Sequence, residues 1–181
     1  MVELLHHDEV VASKTVTLGI RTIELDHTEL NTPEHPGRFN FIVNGVPVFI
    51  KGSNWVPADA LHSRDAERIP DILELFRDMG CNMTRCWGGN VYEAKEFYDI
   101  CDRYGIMVWQ DFSMACAAYP QDEGFLARFR QEAEIVVKER RQHACIALWA
   151  GDNENDSGYV GWWGQYRDPG KNRLTREVLP Q

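Results

Sequence analysis

Cys145-Ile-Ala-Leu-Trp-Ala-Gly-Asp-Asn-Glu-Asn-Asp156 is the stretch on which the reading of this chain turns: a short apolar run, then a carboxylate, Glu154, flanked by two amides. The run Cys145 to Trp149 follows a long amphipathic pattern and is itself too short for a helix, so it reads as a buried parallel strand. Glu154 then stands just past the strand's C-terminal end. That is the end at which a barrel of parallel strands carries its working residues.

Moving outward from this strand, β and α patterns alternate from residue 47 onward, as in a parallel α/β sheet. A first strand is expected at Val48-Phe-Ile-Lys51, followed by a helix with Ile69, Ile72, Leu73, Phe76 and Met79 on one face. Ser63 or Asp65 is placed to cap that helix, and Gly80 to close it in a left-handed conformation. A second strand, Cys81 to Cys86, leads to a helix burying Ala94, Phe97, Tyr98 and Cys101 and ending at Gly105. Ile106 to Trp109 is the third strand. The next helix, Glu123 to Gln142, turns Leu126, Phe129, Ala133, Val136 and Val137 inward, with Lys138, Arg140 and Arg141 suited to its C-terminal dipole. Leu174 to Leu179 reads as the beginning of a further helix.

Two architectures accommodate four such units: an open doubly wound sheet, or the first half of an eight-stranded (β/α)8 barrel. Polar and aromatic residues decide between them. Ser53, Asn54 and Trp55 follow the first strand, Arg85 and Trp87 the second, Gln110 and Asp111 the third, Asn153 and Glu154 the fourth. Chemistry at every strand mouth suits a barrel, whereas a doubly wound sheet gathers its ligand at one switch point. No GxGxxG follows any strand. A full barrel needs about 250 residues, and the alternating region offers about half of that, so the expectation is half a barrel in a truncated chain.

Before residue 45 the pattern is different. Lys14 to Leu25 reads as one antiparallel strand, Asp26 to Arg38 as a surface loop, and Phe39 to Val43 with Val46 to Ile50 as a hairpin about Asn44-Gly45. The expected division is 1–38 as the tail of a β-sandwich domain with its linker, and 39–181 as the N-terminal half of the barrel. His6-His7-Asp8-Glu9 is read as an exposed stretch, not a metal site. The net charge of −9 and pI near 5.1 argue against nucleic acid and anionic membrane as partners. Five cysteines, an odd number, lie mostly inside expected strands and helices, which favours buried thiols in a reducing, cytoplasmic compartment. Neither a spanning helix nor a signal peptide is visible.

Four motifs in order carry a resemblance: Lys51-Gly-Ser-Asn-Trp-Val-Pro-Ala-Asp59; Thr84-Arg-Cys-Trp-Gly-Gly89; Val108-Trp-Gln-Asp-Phe112 with Ala115-Cys-Ala-Ala-Tyr-Pro120; and Trp149 to Asn155. Together they resemble the β-mannosidases of glycoside hydrolase family two, over nearly the whole chain. Leu18 to Leu25 resembles the last strand of the immunoglobulin-like sandwich that precedes the barrel in that family. The resemblance implies a retaining exo-hydrolase that removes terminal β-mannose from oligosaccharides or glycoconjugates, without cofactor or metal. It makes Glu154 the general acid/base and Asn153 the amide that binds the sugar hydroxyl beside the anomeric carbon. It makes Trp87 and Trp162 subsite tryptophans, with Trp163 as an equal neighbour, and places the nucleophile on a later strand, so this chain alone is expected to be inactive. Asp111 and Arg85 are expected to order the substrate-binding pocket floor, with Asp111 also able to hold sugar hydroxyls, and Trp55 either to touch sugar or to pack beneath the first loop. Low polarity around Trp149 and a second carboxylate are expected to raise the acid's pKa. Asp152 departs from the family, which more usually has asparagine there.

Simpler readings stand beside these. Glu154 is by default a solvated loop acid, Asn153 a turn cap, and Trp87 and Trp162 core residues. Asp152-x-Glu-x-Asp156 faintly resembles a calcium loop, but Trp163 occupies the position of the required bidentate glutamate. A related β-galactosidase or β-glucuronidase, or a non-catalytic sugar-binding or structural fragment, is the alternative function. Strands one and four, each with an open edge, are expected to promote self-association.

Overall fold

The computed structural model describes residues 1–28, 32–162 and 168–180, apart from the Trp162 side chain. An antiparallel hairpin of β1 (Val2–His6) and β2 (Glu9–Lys14) opens the chain, turning through His7 and Asp8 at φ 51° and 65°. Three further strands, β3 (Ile23–His27), β4 (Phe39–Val43) and β5 (Val46–Val48), form a second antiparallel sheet. Asn44 and Gly45 turn β4 into β5 with φ of 52° and 78°, the positive values that an Asn-Gly hairpin turn supplies.

Lys14 to Leu25 is therefore not one strand. β2 ends at Lys14, residues 15–22 are irregular, and Arg21 donates its guanidinium to the carbonyls of Ala144 and Ile146, tying this segment to the chain that enters the fourth parallel strand. Asp26 to Arg38 is not wholly loop either, since β3 continues to His27 and pairs with β4. The three-stranded sheet thus spans the division expected at residue 38.

The parallel sheet has the order β6 (Gly52–Trp55), β7 (Met83–Cys86), β8 (Met107–Asp111), β9 (Ile146–Ala150). Its crossovers are α1 (Asp65–Asp78), α2 (Lys95–Tyr104) and α3 (Glu123–Arg140). Sequential order with one helix per crossover is the arrangement of consecutive barrel units. The first strand lies later than its hydrophobicity indicates. The apolar run Val46 to Ile50 goes to the β5 hairpin and the turn after it, while polar Gly52-Ser-Asn-Trp55 enters the sheet. Register is the reason: Trp55 pairs with Cys86, and this sends its ring into the helix-facing core.

That core, between sheet and helices, holds Trp55, Ile69, Leu73, Cys86, Phe97, Tyr98, Cys101, Ile106, Val108 and Ile146. It continues into a second cluster of Phe112, Met114, Leu126, Phe129 and Val136 around α3. None of the five cysteines forms a disulfide; Cys86, Cys101 and Cys145 are buried, and burial pushes their thiols well above the usual range. Gly80 and Gly105 close α1 and α2 at φ 71° and 69°. Neither Ser63 nor Asp65 caps α1: a short 3-10 turn, His62–Arg64, leads directly into it, Ser63 bonds back to Leu61, and Asp65 pairs with His62. Leu174–Val178 forms a wide helical turn closed by Leu179 N–H on the Leu174 carbonyl. Among the described residues no helix is long and apolar enough to cross a membrane.

Candidate active site

Strand pairing decides which side chains meet at the C-terminal ends. In β8, Val108 and Gln110 face the helices, so Trp109 and Asp111 face the other way, toward Arg85 of β7. Asp111 is fully buried and accepts four donors: Arg85 Nη2 at 2.6 Å, Arg85 Nε at 3.2 Å, Trp109 Nε1 at 3.0 Å and Gly88 N–H at 3.1 Å. A carboxylate so surrounded is fixed in place. Gly88 must be glycine for this contact, because a Cβ there would lie 2.2 Å from the Met114 carbonyl oxygen. The Arg85 guanidinium continues to Asn153 Oδ1 at 2.9 Å. Because Oδ1 is held by a donor, the amide must present Nδ2 on its other side. Nδ2 lies 3.4 Å from Glu154 Oε2.

Beyond β9 the chain stays paired for one more step. Asn153 N–H donates to the Met114 carbonyl at 2.9 Å, and Cys116 N–H to the Asn153 carbonyl at 2.8 Å, forming an isolated parallel bridge between Ala115 and Asn153. Glu154 follows with φ 59° and ψ 25°. Among the described residues five non-glycine residues have positive φ: three lie in the two hairpin turns, and the other two are Cys116 and Glu154, facing each other. Positive φ in such residues persists where surrounding structure holds it, and it concentrates at functional sites. Its effect here is to swing the Glu154 carboxylate out of the strand direction and into the open, where the side chain is exposed. The turn after it is secured by Asp152 Oδ1 accepting Asn155 N–H at 3.1 Å and by a bidentate Asp156–Arg176 pair at 3.0 and 2.7 Å. Burial, more than the neighbouring Asp156 charge, raises the pKa of Asp152 above the ordinary aspartate value. Arg176 lowers that of Asp156.

Arg85, Asp111, Asn153 and Glu154 thus form one connected group. Trp87 precedes Gly88, whose N–H donates to Asp111; it is half-buried, with its indole over Gly89, where a Cβ would be 2.2 Å from the ring. Trp55 does not join them. The residue is 3% exposed, and its ring packs between Phe76 and Phe97 and donates Nε1–H to Glu93 at 2.9 Å, so it presents no face to a ligand. Trp149 is likewise turned to the helix side, stacked on Phe112 at 5.8 Å, and the apolar environment expected for the acid from this ring goes instead to the core. The Trp162 side chain and Trp163 lie outside the described residues. Sequence reading assigned no role to Cys116, whose sulfur lies 3.7 Å from Glu154 Oε2; its place inside the Ala115 to Pro120 motif was the available signal.

The arrangement provides an exposed carboxyl, an oriented amide beside it, and a buried ion pair that fixes the amide. This is equipment for delivering a proton to a ligand held by hydrogen bonds. Residues 38–166 match the TIM barrel domain of glycosyl hydrolases family 2. The beta-mannosidase of Capra hircus is 42% identical over 153 residues, covering 83% of this chain and 17% of that protein. The chain thus spans about a sixth of the length of that curated relative. The crystal structure of the beta-D-mannosidase of Dictyoglomus thermophilum superposes with a TM-score of 0.86 at 43% identity, over 98% of this chain and 22% of that one. A Bifidobacterium dentium beta-glucuronidase shares the fold, with a TM-score of 0.67 at 23% identity, over 87% of this chain and 26% of that one.

Proposed function

The chain belongs to glycosyl hydrolase family 2, and on that premise we propose that it carries the acid/base half of a retaining β-mannosidase that removes terminal, non-reducing β-mannose. The observation that carries the proposal is the pair Asn153–Glu154 at the mouth of β9, with its amide locked by Arg85 and its carboxyl exposed. Glu154 donates the proton to the glycosidic oxygen, which departs poorly as an alkoxide, and then takes one back from the water that releases the sugar. Asn153 holds the hydroxyl beside the anomeric carbon, while Arg85 and Asp111 keep its amide from flipping. Trp87 offers the apolar face of its indole to the C–H face of a pyranose. Retention requires a second carboxylate as nucleophile, about 5 Å from the first. No cofactor or metal enters this mechanism.

The preference for mannose is supported by the relatives at 42–43% identity; likeness to glucuronidases is a likeness of fold. Nucleic acid and membrane are not expected ligands of so acidic a chain. The outer strands β6 and β9 each present an open edge among the described residues, and self-association of the isolated 181-residue chain through them is expected. A single monodisperse species in sedimentation would count against it.

The test is hydrolysis by the full-length protein of aryl β-mannosides spanning good and poor leaving groups, with Glu154→Gln alongside. The variant is expected to lose about 10²- to 10⁴-fold in kcat/KM on poor leaving groups and far less on good ones. Equal activity of the two proteins, or wild-type preference for β-glucuronides or β-galactosides, overturns the proposal.

A further inference from the structure

Cys116 has no part in the mechanism above, yet it is built into the same group of side chains. Its Sγ lies 3.4 Å from Asn153 Nδ2 and 3.7 Å from Glu154 Oε2, and the amide-to-carboxylate distance of 3.4 Å closes the triangle. Backbone bonds hold it there. Besides the Cys116 N–H to Asn153 bond, Tyr119 Oη accepts Ala115 N–H at 3.0 Å, and Gly158 lies so close to Ala117 that a Cβ would approach its backbone nitrogen to 3.2 Å. Left-handed backbone at both Cys116 and Glu154 turns the two side chains toward one another.

We propose that Cys116 is a positioning residue for the acid/base: its thiol donates to Oε2 of Glu154, and together with Asn153 Nδ2 it pins that oxygen so that Oε1 carries the transferable proton toward the glycosidic oxygen. This rests on the reading of Glu154 as acid/base. Amide and thiol both fall on Oε2, which fixes the rotation of an otherwise exposed carboxyl. The other charged groups about the site are Asp152 on the same loop, Asp156 with Arg176, and Asp111 with Arg85; Cys116→Ala alters none of them.

The experiment compares wild type, Cys116→Ala, Cys116→Ser and Glu154→Gln in the full-length protein, on a β-mannosyl disaccharide and on a dinitrophenyl β-mannoside, using kcat/KM, which reports the first chemical step for both. Cys116→Ala is expected to lose about three- to tenfold on the disaccharide, the scale of one weak donor to a charged acceptor. It should lose little on the dinitrophenyl substrate, whose leaving group needs no proton. Cys116→Ser, which keeps a donor, should restore the disaccharide activity. No loss, an equal loss on both substrates, or a serine variant as impaired as alanine at matched melting temperature overturns the proposal. If Glu154→Gln retains disaccharide activity, the acid/base reading fails and takes this proposal with it. If Glu154→Gln loses that activity while Cys116→Ala is neutral, the positioning role alone falls.

Discussion

Two clusters of ionisable side chains flank β9, one at its start and one past its end, and their polar atoms are used differently. At the start, Asp102 Oδ2 lies 2.7 Å from His143 Nδ1 while its Oδ1 accepts the Cys145 N–H at 2.7 Å, and Lys95 pairs with Asp99. Asp99, Asp102 and His143 bring their ligand atoms within 4.8 Å of one another, as three metal ligands would. The contacts instead tie α2 to the turn that starts β9, and the His143 ring rests on Tyr98 at 5.3 Å. Past the end of β9, Asp111 is equally saturated, but its saturation serves Arg85 and Asn153, and the series ends in an exposed Glu154. Proximity of charged groups does not distinguish a brace from a reactive site. What distinguishes them is whether the series of hydrogen bonds ends in groups that pair with one another, as Lys95 and Asp99 do, or at an exposed carboxyl.

Substitutions at the two clusters should separate these roles. Asp111→Ala removes the acceptor of four donors and strands a partly buried guanidinium, so the folded state should lose about 3 kcal/mol, and activity per folded molecule should fall as well because Asn153 loses its anchor. Urea unfolding with active-fraction kinetics checks this; an unchanged kcat in the folded fraction would reduce Asp111 to the same kind of brace as Asp102. Asp102→Ala should cost about 2 kcal/mol by leaving the Cys145 amide unpaired while kcat per folded molecule stays at the wild-type value. A selective loss of kcat there would mean the two clusters are coupled through β9.

Asp152→Asn should have the smallest effect. Burial raises the Asp152 pKa in the folded state above 3.8, so the folded protein holds a proton that the unfolded chain has already released. Stability from this group therefore falls as pH rises from that value through the raised folded pKa, and above both the buried charge is a net cost. Asparagine keeps an oxygen for Asn155 N–H and lacks the charge, so the melting temperature near neutral pH should rise by about 1 °C, with the advantage vanishing in acid. A gain that persists at low pH would show that the charge is not the cause.

Much of this was legible in the chain itself. Helix-period patterns ending at Gly80 and Gly105 marked α1 and α2 to within a few residues, and Asn44-Gly45 marked its hairpin, because these signals are local and steric. Polar residues at successive strand ends pointed to Arg85, Asp111, Asn153 and Glu154 as neighbours, since parallel strands in sequential order bring those ends together. The first parallel strand was misplaced because hydrophobicity favoured Val48 to Lys51, whereas the pairing of Trp55 with Cys86 favoured a polar segment. Trp55 could be read either as a sugar contact or as packing beneath the first loop, and Trp149 as an apolar wall for the acid; the side of the sheet each faces put Trp55 in the core and Trp149 against it.

By itself, then, the sequence determined the alternation of strands and helices, the turns, and the family whose motifs these residues share, for those depend on periodicity and on residue types at fixed spacing. Only the tertiary structure decided which oxygen of Glu154 is held, why Asn153 presents its Nδ2, and that Cys116 completes the group. Those depend on register, on backbone of positive φ, and on hydrogen bonds between residues 37 and 68 positions apart. Spacing along a chain carries no record of such contacts.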